Sequence, residues 1–270
     1  MKSIFRALST IYVIFFSSKI LESTNDMLLY LTLRARGYNN SKSHSISGEQ
    51  HFLNVVLRRF SPTLCIDVGA NVGTYAATLL EAHRNAKVYS FEPLNGPFSQ
   101  LSELKKRFGN RHVAINKGVS DVNGTSTIYY NDESSIYASL SLDSRKISYV
   151  GNEQSTDIEV VTLDQFFLSE EKVDSIDLIK IDTEGLEYQV LAGARQVIST
   201  HRPRLIQIEY NWHQLFQGHT LFAFSEILSG YTAFQLLPSR MVERDPSHPM
   251  SNIYEFSNFV FVRNDCKHLI

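Results

Sequence analysis

Apolar positions change their period several times along the chain. Ile4, Leu8, Ile11 and Phe15 are spaced by four, three and four residues, which is one face of a helix. The uncharged stretch between Arg6 and Lys19 has 12 residues, short of the roughly 20 that a membrane-crossing helix needs. The spacing predicts a packed or partner-facing helix. Interfacial membrane contact and a signal sequence are the alternatives, and no clear A-x-A cleavage site follows. A second helix is expected to start at Asn25 or Asp26, either of which can cap it, and to end near Gly37. Residues 38–48 are polar and Ser/Asn-rich, as in a linker or mobile loop. Ser47 and Gln50 have capping-box spacing. Phe52, Val55, Val56 and Phe60 then form the stripe of a third helix, which Pro62 stops. His44 and His51 read as surface polar residues, because no metal-ligand spacing surrounds them.

From Pro62 onward short apolar runs alternate with helical patterns. Strands are expected at 63–68, 87–91, 112–118, 177–181, 204–209, 232–237 and 259–263, and helices at 72–83, 96–108, 187–198 and 222–228. A β-rich insertion occupies about 124–162, with strands at 125–130 and 158–162. Repeated β-α units imply an α/β fold, a mostly parallel sheet with helices on both faces. The organisation expected is an N-terminal helical extension over 1–61 and one domain over 62–270. Ligands of such sheets sit beyond the carboxyl ends of the strands.

Hydrophobic residues make up 43% of the chain and charged residues 20%, which excludes wholesale disorder. The 26 Lys+Arg and 28 Asp+Glu give a net charge of −2, without the basic excess of a dedicated nucleic-acid binder. Cys65 and Cys266 cannot build a disulfide framework or a four-thiolate zinc site. A reducing compartment, and so the cytoplasm, is the expected location.

Five strand ends carry the chemical signal. In Asp67-Val68-Gly69-Ala70-Asn71-Val72-Gly73, Gly69 allows a tight turn and Gly73 close packing of the next helix. That helix offers unpaired N–H groups to an anion. Glu92 lies 23 residues past Gly69, where an acid can take hydrogen bonds from ribose hydroxyls. Ser120 and Asp121 close the third strand; they can meet an adenine amine or simply lead into the Asn123-Gly124 turn. Lys180 interrupts an apolar run in Leu178-Ile179-Lys180-Ile181-Asp182-Thr183-Glu184-Gly185, and three charges within five positions fit a site better than a core. Glu209, Asn211 and His213 follow the fifth strand. His213 is a candidate general base, although a lone loop histidine is more often a surface residue.

In this order, D-V-G-A-N-V-G-T-Y, F-E-P, V-S-D-V-N-G, V-T-L-D-Q-F, L-I-K-I-D-T-E-G-L-E and I-E-Y-N resemble the FkbM-type methyltransferases, members of the class I S-adenosylmethionine-dependent superfamily. The resemblance covers roughly 64–264, and K-I-D-T-E-G-x-E at 180–187 is its most specific piece. It implies a Rossmann-like seven-stranded sheet with an antiparallel last strand, and methyl transfer to a hydroxyl of a sugar, glycan or secondary metabolite. It also implies that Asp67, Gly69, Ala70, Asn71 and Gly73 form the loop under the methionine moiety of S-adenosylmethionine. Glu92 would hold the ribose, Ser120 and Asp121 would lie by the adenine, and Asp182 would stand beside the methionine part and the acceptor.

The residues themselves agree with that cofactor. Asp67 and Asp182 can serve its cationic part, and the helix start at Asn71 its carboxylate. A neutral hydroxyl is a poor nucleophile, so a base must take its proton. Asp182, Glu184 and His213 are the catalytic candidates, with Glu184 preferred because it lies in the turn. Asp182, Glu209 and Asn211 could present oxygens to Mg²⁺, but hydrogen bonding without a metal is the favoured reading. A nicotinamide-dependent oxidoreductase is an alternative, weakened by the missing G-x-G-x-x-G. A non-catalytic methyltransferase-like binding protein is another. The expected partner is a small molecule or glycan, with no nucleic acid and no transmembrane span. Residues 135–154 and the N-terminal helices are expected to shape the acceptor pocket, where Tyr137, Tyr149 and Trp212 could stack on a sugar.

Overall fold

A computed structural model describes residues 2–41, 43–131, 138–140, 151, 153–171 and 173–270. Two sheets are present among them. Strands β1 (Leu64–Val68), β2 (Lys87–Phe91) and β3 (His112–Ile115) belong to the main sheet; β4 (Gly118–Val119), β5 (Gly124–Tyr130) and β6 (Gln154–Val161) form a small one. β7 (Leu178–Ile181), β8 (Leu205–Tyr210), β9 (Tyr231–Leu237), β10 (Arg240–Glu243) and β11 (Ser257–Arg263) complete the main sheet. Its order is β10-β9-β11-β8-β7-β1-β2-β3, with β1 parallel to β2 and β7 at its centre and β11 antiparallel to both neighbours. The sheet is mixed α/β with helices on both faces, as the sequence predicts. It has eight strands rather than seven, because β10 follows β9 in a hairpin and adds an edge.

Alternation along each strand divides the core into two layers. On β1, Ile66 and Val68 join Ile179, Ile181, Val190 and Leu191 on one side, while Cys65 joins Tyr75, Leu79 and Leu80 on the other. The second layer also takes Phe52, Leu53, Val56, Leu57 and Phe60 from the segment before the sheet. Fully burying one such side chain is worth about 1.5–3 kcal/mol, so this segment is fastened to the sheet by its own apolar stripe. Val55, expected on that stripe, is exposed, and Leu53 and Leu57 take the inner positions.

Three other expectations change. The second helix spans Glu22–Ala35 and does not start at Asn25 or Asp26. Asn25 lies inside it; its Oδ1 accepts from the Tyr12 hydroxyl at 2.7 Å and its Nδ2 donates to the Phe16 carbonyl at 2.8 Å. The polar run after it is no free linker over its described residues. Tyr38 and Asn40 are buried, Asn40 donates to the Arg34 carbonyl at 3.0 Å, and the Asn39 N–H donates to the Phe256 carbonyl at 2.8 Å. The first helix, Lys2–Phe16, is not packed on the body: all its described side chains are exposed. Tyr12, Val13, Ile14 and Phe16 are apolar as well, so its apolar arc is wider than the stripe of Ile4, Leu8, Ile11 and Phe15, and Arg6, Ser9 and Thr10 share the opposite side.

Candidate functional site

A cavity of about 450 Å³ opens beyond the carboxyl ends of β1, β2 and β7. That volume falls in the range of small-molecule sites. The turn after β1 forms one wall. Gly69 has φ +76, and a Cβ there would stand 1.8 Å from the Asp182 carbonyl oxygen, so only glycine lets this turn lie against the end of β7. The Gly69 and Ala70 N–H groups donate to the Phe91 carbonyl at 3.1 and 2.9 Å, which ties the turn to β2. Asn71 also takes a left-handed φ of +49. Its N–H donates to Glu92 Oε2 at 2.9 Å, and the Leu94 N–H donates to Glu92 Oε1 at 2.9 Å. Glu92 therefore holds two loops with one carboxylate while lining the cavity. Burial pushes its pKa up to about 7 despite those two donors.

Behind this wall lies a buried ion cluster. Lys180 Nζ stands 3.1 Å from Asp182 Oδ2 and 3.4 Å from Asp67 Oδ1. Burial acts to lower the Lys180 pKa, but Asp182 and Asp67 raise it above its ordinary value, so the ammonium stays charged. Desolvation raises the Asp67 pKa, with Lys180 opposing. Asp67 is buried and faces Lys180; it does not line the cavity, whereas Lys180 and Asp182 do.

The turn after β7 carries the acids. Oxygens of Asp182, Glu184 and Glu209 all lie within 4.8 Å of one another. Glu184 sits at φ +53, and its Oε2 is 3.0 Å from His213 Nε2. Burial pushes Glu184 up to about 7. Burial lowers His213, but the hydrogen bond and charge of Glu184 outweigh that and hold it above its usual value. Glu209 is pushed well up, first by burial and then by Asp182 and Glu184. Like charges this close do not all ionise freely, and their protons belong to the group. The same three carboxylates could hold a cation, yet Asn211 Nδ2 already donates to Glu209 Oε1 at 2.6 Å, and the acids by themselves assign no metal.

Sequence reasoning gave no role to Glu187, the last residue of K-I-D-T-E-G-L-E. It is buried, and its Oε1 accepts from the Thr183 N–H at 2.8 Å, the Thr183 hydroxyl at 3.1 Å and the Gly185 N–H at 3.2 Å. Gln214 Nε2 donates to its other oxygen. Glu187 is thus the clamp that shapes the turn presenting Asp182 and Glu184. Its signal was legible as an acid just past a glycine turn, set to collect the turn's free N–H groups. Glu187→Ala is expected to lower stability by about 1–3 kcal/mol, since it strands buried donors; urea unfolding measures this, and an unchanged midpoint would remove the clamp.

Of the predicted positions, Gly69, Ala70, Asn71, Glu92, Asp182 and Glu184 line the cavity. Gly73 packs against Leu101 and Leu104 instead. Ser120 and Asp121 lie one step past the lining, which here is Gly118 and Val119, and Ser120 Oγ donates to Asp121 Oδ1 at 3.1 Å. His213 is buried behind Glu184, on the helix Trp212–Gln217, rather than in a surface loop. Asn211 caps that helix, accepting from the His213 N–H at 3.0 Å. No motif marks Glu49, which reaches the cavity from the N-terminal segment and accepts from Gln207 Nε2 at 3.1 Å. A second cavity of about 410 Å³ shares Ser41, Glu209 and Phe256 with the first and adds Asn39, Asn211, Trp212 and Glu255. Trp212 Nε1 donates to Glu255 Oε2 at 3.1 Å. Tyr137, Tyr149 and most of 135–154 lie outside the described residues.

Comparison with known proteins bears on the same region. The family model described as the methyltransferase FkbM domain matches residues 67–233. The chain is 26% identical over 194 residues to the 2-O-methyltransferase NoeI of Sinorhizobium fredii, covering 67% of this chain and 76% of NoeI. It is 27% identical over 164 residues to the hexuronic acid methyltransferase AglP of Haloferax volcanii, covering 60% of this chain and 63% of AglP, less than two thirds of that relative's length. Among solved structures, a methyltransferase FkbM from Methylobacillus flagellatus matches with a TM-score of 0.47 and 19% identity, over 74% of this chain and 44% of that one. An O-methyltransferase from Bacillus cereus, solved in complex with SAH, matches with a TM-score of 0.47 and 14% identity, over 95% and 97%.

Proposed function

The chain belongs to the FkbM methyltransferase family, whose members are S-adenosylmethionine-dependent enzymes, and on that premise we propose that it methylates a hydroxyl of a sugar or glycan. The observation that carries the reading is the excess of acid around the first cavity. Among its described lining residues are Glu49, Glu92, Asp182, Glu184 and Glu209, against Lys117 and Lys180. Lys117 pairs with Glu159 at 2.6 Å and Lys180 with Asp182. Such a wall suits a ligand bearing a sulfonium and an ammonium. It repels the pyrophosphate of a nicotinamide dinucleotide, which argues against the oxidoreductase alternative along with family membership.

The residues fit the cofactor. Glu92 keeps lone pairs for ribose hydroxyls beyond those its two backbone donors use. Asp182 and Glu49 face the cationic end, the Asn71 turn the carboxylate, and Gly118 and Val119 offer a flat wall for the base. When bound, S-adenosylmethionine supplies an electrophilic methyl group. The protein's own task is to align an acceptor oxygen with that methyl and to take the acceptor's proton. Glu184 is the base, because it lines the cavity and is poised near neutrality. His213 is a positioning residue, holding the Glu184 carboxylate toward the cavity. The second cavity is the acceptor site: it adjoins the acids, and Trp212 and Phe256 offer apolar faces to a sugar ring while Asn39, Asn211 and Glu255 offer polar ones. The relatives' names, a 2-O-methyltransferase and a hexuronic acid methyltransferase, support a sugar-type acceptor.

Incubation of the protein with methyl-labelled cofactor and a panel of soluble glycosides, followed by mass spectrometry, is expected to place the label on a sugar oxygen. Label on nitrogen or on no member of the panel, with transfer to nucleic acid instead, would overturn the acceptor class. The pH profile gives a second expectation. Below about 7 the raised Glu184 pKa keeps the base protonated, so kcat/KM should rise with pH through an apparent value near 7 that belongs to the Glu184–His213 pair. The His213 hydrogen bond lowers the Glu184 pKa, so His213→Ala should move that limb to higher pH. A limb that stays in place would separate His213 from the base.

A further inference from the structure

The hairpin of α1 (Lys2–Phe16) and α2 (Glu22–Ala35) lines neither cavity, and among the described residues it carries most of the exposed large apolar side chains. Ile11, Tyr12, Val13, Ile14, Phe15 and Phe16 are consecutive and each 36–68% exposed. At about 100° per residue, six consecutive side chains go round the whole helix. Met27, Leu28, Leu29, Tyr30 and Leu31 do the same on α2, each 43–58% exposed. A second protein covers one stripe of a helix, as in a coiled-coil seam. A lipid interface receives an arc this wide, with Arg6, Ser9 and Thr10 on the remaining polar side.

Two more observations favour lipid. Residues 1–36 hold five Lys and Arg against two acids, Glu22 and Asp26, in a chain whose overall charge is −2, and no acid occurs before Glu22. Two hydroxyls of α1 are also bonded within the helix: Ser9 Oγ and Thr10 Oγ1 donate to the Arg6 carbonyl at 2.9 and 3.0 Å, and Thr32 Oγ1 on α2 donates to the Leu28 carbonyl at 2.7 Å. A polar group so paired enters a low-dielectric medium at small cost. Among the described residues no helix is long and apolar enough to cross a membrane. With 15 residues, α1 is about 22 Å long against a hydrocarbon core of roughly 30 Å.

We propose that the α1–α2 hairpin docks the protein on the surface of an anionic lipid bilayer, lying in the interface with its apolar side chains among the acyl chains and Arg6 and Lys19 at the headgroups. The strap that follows α2 contributes Asn39 and Ser41 to the second cavity, so docking holds that cavity beside the lipid. The proposal stands whatever the methyl acceptor is.

The test is flotation of the full chain with vesicles of phosphatidylcholine alone and with added phosphatidylglycerol. Binding is expected to the anionic vesicles and to weaken with salt. Ile11→Asp with Ile14→Asp, both at exposed positions, is expected to lower partitioning by about tenfold or more, with the same melting temperature and the same cofactor affinity as wild type. Arg6→Gln with Lys19→Gln is expected to cost on the order of tenfold on anionic vesicles only. Wild type that floats with neither vesicle overturns the proposal. So does a stable dimer, by sedimentation, that the Ile11/Ile14 variant splits without any vesicle binding, since a second copy would then cover the hairpin. Recovery from cells of a chain cleaved after the first helix overturns it too, in favour of a signal sequence.

Discussion

Glu184→Gln is expected to lower turnover by about 10²–10⁴-fold while leaving cofactor affinity intact. The variant keeps the shape and one acceptor oxygen and removes the charge and the basicity. The turn around it has little freedom to adapt. Ser139 Oγ donates to the Glu184 carbonyl at 2.7 Å, Gln217 donates to the Gly185 carbonyl, and Glu187 collects the Thr183 and Gly185 N–H groups. Gly185, at φ +112, has His213 and Gln217 atoms 3.0 Å from where a Cβ would be, so the loop is packed against the helix Trp212–Gln217. A loss of rate in single-turnover assays, with unchanged calorimetric binding of S-adenosylmethionine, is the expected pair of results. Full activity would exclude Glu184 as the base and turn attention to Asp182, the other turn carboxylate that lines the cavity.

Glu92→Ala is expected to weaken S-adenosylmethionine binding by about 1–3 kcal/mol, roughly 5–150-fold. Two effects act together. The ribose hydroxyls lose a carboxylate acceptor, and the Asn71 and Leu94 N–H groups lose the partner that sets the glycine turn against the end of β2. Glu92→Gln distinguishes them, because an amide keeps one acceptor oxygen but presents an N–H₂ to the other backbone donor. A thermal melt without cofactor reports the loop effect separately. Unchanged affinity in Glu92→Ala would remove the ribose assignment.

Much of the sheet was legible because its strands are short, apolar and punctuated by glycine or charge. β2, expected at 87–91, spans Lys87–Phe91. Where the reading failed, contacts remote in sequence decided. The helix expected over 187–198 is two, Glu187–Ala192 and Arg195–His201. Between them Gly193 lies so close to the end of β4 that a Cβ would stand 2.2 Å from the Ser120 carbonyl oxygen. The third strand, expected over 112–118, is likewise divided: β3 pairs with β2, whereas Gly118 and Val119 pair with β6 in the small sheet. Periodicity cannot reveal which sheet a residue joins.

The site was legible to the extent that function interrupts apolar pattern. Asp182 and Glu184 stand out at the end of a buried strand, and Lys180 within it. Asp67 stands out equally, yet it faces Lys180 inside the protein, and sequence does not distinguish a charge that meets ligand from one that neutralises a buried partner. His213 looked like a loop residue because six residues, Trp212–Gln217, are too few for a helical period to emerge. The difference between residues 1–36 and the segment after them was also hidden. Both are rich in apolar side chains, but Phe52, Leu57 and Phe60 are buried in the core while Ile11 and Ile14 are exposed.

On the proposed function, the acid-lined cavity beyond β1, β2 and β7 binds the sulfonium nucleoside. A crystal structure with S-adenosylhomocysteine tests it most directly. Ribose hydroxyls are expected on Glu92, the amino acid end between the Gly69–Asn71 turn and Asp182, and the base against Gly118 and Val119. A nucleoside bound elsewhere, with Glu92 and Asp182 still facing only protein, would contradict it.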